Sequence, residues 1–314
     1  MENLMFSLNA TVPIFLTMVI GIFMRKSGIF TDEVTERLNK FVFTAGIPAL
    51  LFQDISGADV RQVWDTGFVV FCFLVTLISI LAVSAGSFFL KDRSIQGEVV
   101  QASYRSSAAI LGIAFIQNIY GNSGMAPLMI IGTVPLYNVM AVIVLSLLKP
   151  GQKKMDRELI KKTLKGIVTN PIILGIAFGL LWSCLHIPQP VILQKTIKNV
   201  AVLATPLGLM SMGASFDLKK ACGRICPALV CSFIKLVGFA AVFLPAAVAF
   251  GYREERLVAI LVMLGSATTV SSYIMAKNMG HEGTVTSSTV MLSTCLSAFT
   301  LTGWLYLLKC LGLI

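Results

Sequence analysis

Two parts of this 314-residue chain repeat one another at an offset of 158 to 159 residues, and that self-similarity constrains the fold more than any single motif. Pro13, Ile14, Leu16 and Gly21 recur as Pro171, Ile172, Leu174 and Gly179; Pro48 and Asp59 recur as Pro206 and Asp217; Gly121 and Gly124 recur as Gly280 and Gly283. Apolar stretches of about 20 residues, enough to cross about 30 Å of hydrocarbon, lie near 4–24, 37–54, 66–90, 96–119, 125–148, 168–186, 196–215, 226–250, 256–276 and 285–308. Five fall in each half, and an odd number of crossings makes the second copy enter a bilayer upside down. The predicted fold is therefore an all-α polytopic membrane protein of ten transmembrane helices, built as two inverted five-helix repeats. The repeats are expected over 1–148 and 168–314, joined by a basic cytoplasmic linker over 149–167.

Composition agrees: 56% of residues are hydrophobic, only 13% are charged and the mean hydropathy is +0.84, outside the range of water-soluble domains. The first span carries Glu2 ahead of it and Arg25 and Lys26 behind it, the reverse of a secretory signal, so it is expected to stay on the mature chain. The seven cysteines are scattered, with no legible disulfide framework. Cys222 and Cys226 stand one helical turn apart, but with His186 and His281 the only histidines a metal site is not expected, and packing is the simpler role. No cofactor is expected either.

The net charge of +10 is distributed as a membrane topology requires. If the N-terminus is outside, the inward loops within 25–40, 91–93, 149–165, 219–224 and at Lys277 hold 17 Lys and Arg, and the outward side holds 6: Arg61, Lys195, Lys198, Arg253, Arg256 and Lys309. This bias places both termini outside a cytoplasmic membrane, with the basic linker against the inner lipid surface. Nucleic acid is excluded as a partner because no aromatic residue interleaves the linker lysines.

Four spans carry irregularities. Gly46 and Pro48 in the second span, and their repeat mates Pro206 and Gly208 in the seventh, are expected to break their helices, freeing backbone groups that only a cavity, water or a neighbour can satisfy. Kinks that merely shape packing are the alternative. The fourth span reads SYRSSAAILGIAFIQNIYG (103–121) and the ninth MLGSATTVSSYIMAKNMG (263–280). Ser106, Ser107 and Gly112 would face Gly265, Ser266, Thr268, Thr269, Ser271 and Ser272 near mid-bilayer, either as a polar cavity wall or as small residues that let helices approach closely. Arg105 and Lys235 each lie about 13 Å inside the bilayer at 1.5 Å per residue, where a cation costs on the order of 2.5 kcal/mol or more. Arg105 could bind a ligand or pair with Glu98; Lys235 could bind a ligand or bond to carbonyls freed at a broken helix. No Asp or Glu is expected deep in any span, so the sign of the buried charge favours an anion.

Over nearly its whole length the chain resembles the auxin efflux carrier family of permeases. The matching stretches are LNKFVF with Pro48, YRSS…LG in the fourth span, KGIVTNPIILGIAFGLLW (165–182), Lys235, and AKNMGHEGTVTSSTVMLSTCLSAFTLTGW (276–304). The resemblance implies broken, crossing helices in spans four and nine and transport of organic anions such as dicarboxylates. It also marks departures. Ser107 stands where the family often has a substrate-facing Asn, and Ala114 and Gly265 stand where it often has Pro, so the crossing must break at small residues and the preferred ligand can differ.

The function read from these features is a secondary transporter of a small organic anion working by alternating access, with substrate held by Arg105, Ser106, Ser107, Gly112, Gly265, Ser266, Thr268, Thr269, Ser271 and Lys235. Two rivals stay open: a sodium-coupled symporter of the bile-acid type, and a ligand-sensing membrane protein that binds without translocating. An enzyme is disfavoured, since no activated nucleophile is on offer. Homodimers occur among similar proteins, but no interface is legible.

Overall fold

The computed structural model describes residues 2–56, 64–108, 116, 119–120, 124–151, 161, 164–166, 168–185 and 188–314, and among these there is helix and loop but no strand. Helix α1 (Glu2–Lys26) ends on Arg25 and Lys26, cations at the negative end of the helix dipole. Arg25 then reaches Asp32 at 2.6 Å. Thr31 caps α2 (Asp32–Phe41) by accepting from the Val34 amide at 3.3 Å. The chain passes through a π-helical turn (Val42–Gly46) into α3 (Ile47–Ser56). Asp65 caps α4 (Thr66–Ser87), its carboxylate accepting from the Phe68 amide at 3.0 Å. The short α5 (Gln96–Tyr104) and α6 (Ala126–Leu147) complete the first half, α6 with Pro127 in its first turn, where the missing N–H has no partner to lose.

The second half contains α7 (Pro171–Leu185), α8 (Val191–Ala214), the short α9 (Leu218–Gly223), and α10 (Ile225–Phe233) joined to α11 (Phe239–Ala249) by a second π-helical turn (Ile234–Gly238). It closes with α12 (Glu254–Gly265), α13 (Val270–Asn278) and α14 (Thr284–Cys310). Among the described residues, six segments are long and apolar enough to cross a membrane: α4, α6, α8, α10 with α11, α12 with α13, and α14. Their outward faces are apolar too, as at Leu81, Val242 and Phe299, which suits lipid and not water. Cys222 and Cys226 are exposed rather than packed.

Two of the expected helix breaks are absent. Helix α8 runs unbroken through Pro206 and Gly208, and α2 continues into α3 past Gly46 and Pro48, with only the π-helical turn to absorb the irregularity. A π-helical turn widens the helix locally without parting it. What these small residues do is allow close packing: a methyl carbon on Gly46 would lie 3.2 Å from Ala204, and one on Gly208 3.3 Å from Val270.

The repeat appears in the packing. Helix α1 lies on α8 and α7 lies on α3, so the first helix of each half packs on the second segment of the other. A methyl on Gly21 would sit 2.0 Å from the Met210 carbonyl oxygen, and one on Gly213 2.0 Å from that of Met18. At the matching contact, Gly175 would meet the Pro48 carbonyl oxygen at 2.7 Å and Gly179 would meet Phe52 and Ile55 at 3.2 Å. Gly21 and Gly179 are a repeat pair in sequence, and both are held to hydrogen by a neighbouring helix. Gly124 and Gly283, another pair, both adopt positive φ, +42° and +78°.

Candidate functional site

Two broken helices meet inside the molecule. Helix α5 ends where Arg105 turns extended (φ −69°, ψ 135°); α12 ends at Ser266 (φ −77°, ψ 161°), and α13 resumes after Thr269 (φ −73°, ψ 144°). Neither break contains proline. Gly265 and the run of hydroxyl residues supply it instead, because short hydroxyl side chains offer the backbone partners outside the helix. The Ser107 amide donates to the Ala267 carbonyl at 2.9 Å. The Ser106 and Ser266 hydroxyls bond each other. Thr268 donates from its hydroxyl to the Ala102 carbonyl at 2.8 Å and from its amide to the Ser293 hydroxyl at 3.0 Å. Backbone groups released at each break thus find partners on the other strand of the crossing or on α14, as a low-dielectric interior demands.

A cavity of about 120 Å³ opens beside the crossing. Arg105, Ser106, Ser107, Thr268, Thr269 and Ser271 line it, six of the ten substrate residues expected from sequence. Three of the others stand elsewhere. Ser266 is fully buried against Ser106, and Gly265 packs with the Leu236 carbonyl oxygen 3.6 Å from where its side chain would begin. Lys235 is 1% exposed and donates to the carbonyls of Met263 at 3.1 Å and Leu264 at 2.7 Å. It therefore closes the negative C-terminal end of α12 and does not line the cavity. Gly112, like Ala114, lies outside the described residues.

Arg105 is 2% exposed. Its Nη2 donates to Asn138 Oδ1 at 2.8 Å and to the Ser271 hydroxyl at 2.9 Å, Nη1 contacts Met275 Sδ, and Nε has no partner. All of these neighbours are neutral, so no carboxylate pairs with it among the described residues. The alternative partner Glu98 is engaged elsewhere: it accepts from the Gly283 amide at 2.8 Å and from the Thr286 amide and hydroxyl, both at 3.0 Å. That fastens it to the N-terminus of α14, where an anion is favoured.

The expectation of no buried acid is corrected twice. Glu98 is 1% exposed, and Asp54 on α3 lines the cavity. Sequence reasoning also missed Tyr137 and Asn138 of α6, Thr205 of α8 and Thr294 of α14, all in the cavity wall. An amide side chain near the middle of an apolar helix was a legible signal for Asn138; Thr205, beside Pro206, was overshadowed by the proline.

Helices long and apolar enough to span a bilayer, enclosing a cavity with charged and hydroxyl side chains in its wall where two helices break, describe a membrane transport protein. Residues 6–305 match the family model described as "Membrane transport protein", and the chain belongs to that family, which includes the auxin efflux carriers. A protein of Rhizobium meliloti (strain 1021) described as a "Putative malonate transporter" is 23% identical over 308 residues, covering 95% of this chain and 94% of its own. The "Uncharacterized transporter YfdV" of Escherichia coli (strain K12) is 25% identical over 329 residues, covering 96% of this chain and 98% of its own. The YfdV protein of Shigella flexneri matches to the same extent.

Proposed function

We propose that this transporter moves a small organic carboxylate across the cytoplasmic membrane by alternating access, with the cavity at the crossing as its binding site. The observation that carries the reading is Arg105, a guanidinium 2% exposed beside a cavity, hydrogen-bonded only to neutral groups. A cation whose direct hydrogen-bond partners are all neutral is costly inside a membrane protein, and a carboxylate bound in the cavity would relieve that cost through charge-assisted hydrogen bonds. The hydroxyls of Ser107 and Thr269 would orient it. The relative described as a "Putative malonate transporter" supports the same chemical class.

The reading includes ten spans in two inverted repeats, 1–148 and 168–314, with both termini outside. The reciprocal packing of α1 on α8 and of α7 on α3 supports that symmetry. Spans four and nine, as the crossing pair, would carry the cavity between inward-open and outward-open forms.

The test is a stability screen of the purified protein against mono- and dicarboxylates, neutral amides of the same size and organic cations. A ligand that binds only the folded state raises the midpoint of unfolding with concentration. Carboxylates such as malonate are expected to raise it and their neutral amides are not. Stabilisation by cations or amides alone would overturn the assignment.

A further inference from the structure

Arg105 and Asp54 are the two charged side chains among the described residues lining the cavity. Asp54 is half-buried on α3 and has no hydrogen-bond or ion-pair partner among the described residues. The elements packed against α3 are α7, α8 and the π-helical turn Val42–Gly46. Their titratable groups are Cys184 on α7 and Lys195 and Lys198 on α8, all exposed, and the turn has none. Asp59 and Arg61 follow in the chain, outside the described residues. The cavity lining is thus close to neutral, one guanidinium against one carboxylate. A carboxylate substrate upsets that balance, putting two anionic groups and one cation into about 120 Å³. Like charges in a confined, poorly solvated site raise each other's affinity for a proton, and one of the two groups takes one up.

We infer that Asp54 is the proton-coupling residue of this transporter: it is ionised in the empty cavity and protonated when the substrate anion is bound, so that substrate and proton cross together. The inference rests on the carboxylate reading above and adds the coupling ion to it. On the loading side a proton from water joins a carboxylate oxygen of Asp54; on the releasing side the same O–H bond breaks and the proton returns to water. No electrons move. A monoanion then crosses without net charge, and a dianion carries one net negative charge. Asp54 is the one carboxylate among the described residues that line the cavity.

The experiment uses the full chain in proteoliposomes with radiolabelled malonate at a clamped membrane potential. Malonate counterflow, which needs no gradient, is read beside net accumulation driven by an acidic exterior. The wild-type protein is expected to accumulate malonate by up to about tenfold per unit of pH gradient, the free energy of one co-transported proton. In Asp54→Asn the ratio of accumulation to counterflow should fall to its value without a gradient, and Asp54→Glu should restore it. In detergent, malonate binding to the wild-type protein should take up about one proton per anion, read with a pH dye in weak buffer. That measurement stands even if a variant fails to fold. Wild-type counterflow without gradient-driven accumulation, no proton uptake on binding, or an Asp54→Asn protein that accumulates as the wild type does would each overturn the inference. Absence of both malonate counterflow and binding would instead contradict the carboxylate reading, and the inference with it.

Discussion

The Ser107 amide donates to the Ala267 carbonyl at 2.9 Å, tying the end of one broken helix to the middle of the break in another. The bond joins residues 160 positions apart, since 267 − 107 = 160, close to the repeat offset. Ser106 and Ser266 make a second link between the same two breaks. The crossing is therefore a shared structure, and its hydroxyls divide into those that hold it together and those that face the cavity.

That division separates two substitutions. The Thr268 hydroxyl is committed to the Ala102 carbonyl at 2.8 Å, so Thr268→Val should lower the unfolding midpoint in detergent, by the equivalent of about 1–3 kcal/mol for a buried acceptor left unpaired. The Ser107 hydroxyl has no partner among the described residues and lines the cavity. Ser107→Ala should weaken ligand affinity by about 0.5–1.5 kcal/mol with little change in stability. Equal effects of both changes on stability and none on affinity would assign both hydroxyls to the scaffold.

Lys235 tests the helix-end role. Lys235→Met keeps the apolar stem but leaves the Met263 and Leu264 carbonyls without their donor, and should cost about 1.5–3 kcal/mol in stability. Thermal unfolding of the purified variant checks this. A Lys235→Met protein as stable as the wild type would show that those carbonyls find other partners.

Glu98→Gln should also destabilise. The carboxylate receives three donors from Gly283 and Thr286 at the start of α14, and the amide keeps only one acceptor oxygen and no charge toward the helix dipole. A loss of about 1–3 kcal/mol is expected in the same unfolding measurement. Unchanged stability would mean that the α14 terminus does not depend on the charge.

The glycine contacts give a steric prediction. Gly21→Val and Gly175→Val push side chains into carbonyl oxygens of neighbouring helices, and each should cost about 1–3 kcal/mol or more, as overpacking does. Gly303→Ala, with no atom within 4 Å of the new carbon, is the control and should be near neutral or stabilising. A fully tolerated Gly21→Val would show that α1 does not approach α8 as closely as described.

Much of this was legible in the sequence because lipid imposes a simple length rule. The apolar stretches near 66–90, 125–148, 226–250 and 285–308 coincide with α4, α6, α10 with α11, and α14 to within a few residues. The breaks in spans four and nine were expected from the family resemblance, while the hydroxyls around 106–107 and 266–269 were read as a cavity wall or as close packing; their competition with helical hydrogen bonds gives the breaks a physical cause. Pro48 and Pro206 misled because proline lacks one N–H but need not part a helix whose neighbours satisfy the freed carbonyl. Glu98 misled because it lies in the first turn of α5, a shallow position by sequence, yet it is buried by the N-terminus of α14 some 185 residues later. Asp54 escaped for a similar reason: depth counted along one span says nothing of the cavity that its neighbours leave beside it.

The most direct test of the carboxylate reading is the affinity for malonate of the wild-type protein and of Arg105→Gln, measured by calorimetry in detergent alongside unfolding midpoints that confirm both are folded. Gln keeps a donor and removes the charge, so affinity should fall by about 1.5–3 kcal/mol, the worth of a charge-assisted hydrogen bond. Arg105→Lys should recover part of the loss, because it restores the charge without the two-pronged geometry. Malonate bound by Arg105→Gln as tightly as by the wild type would contradict the account and make Arg105 part of the scaffold.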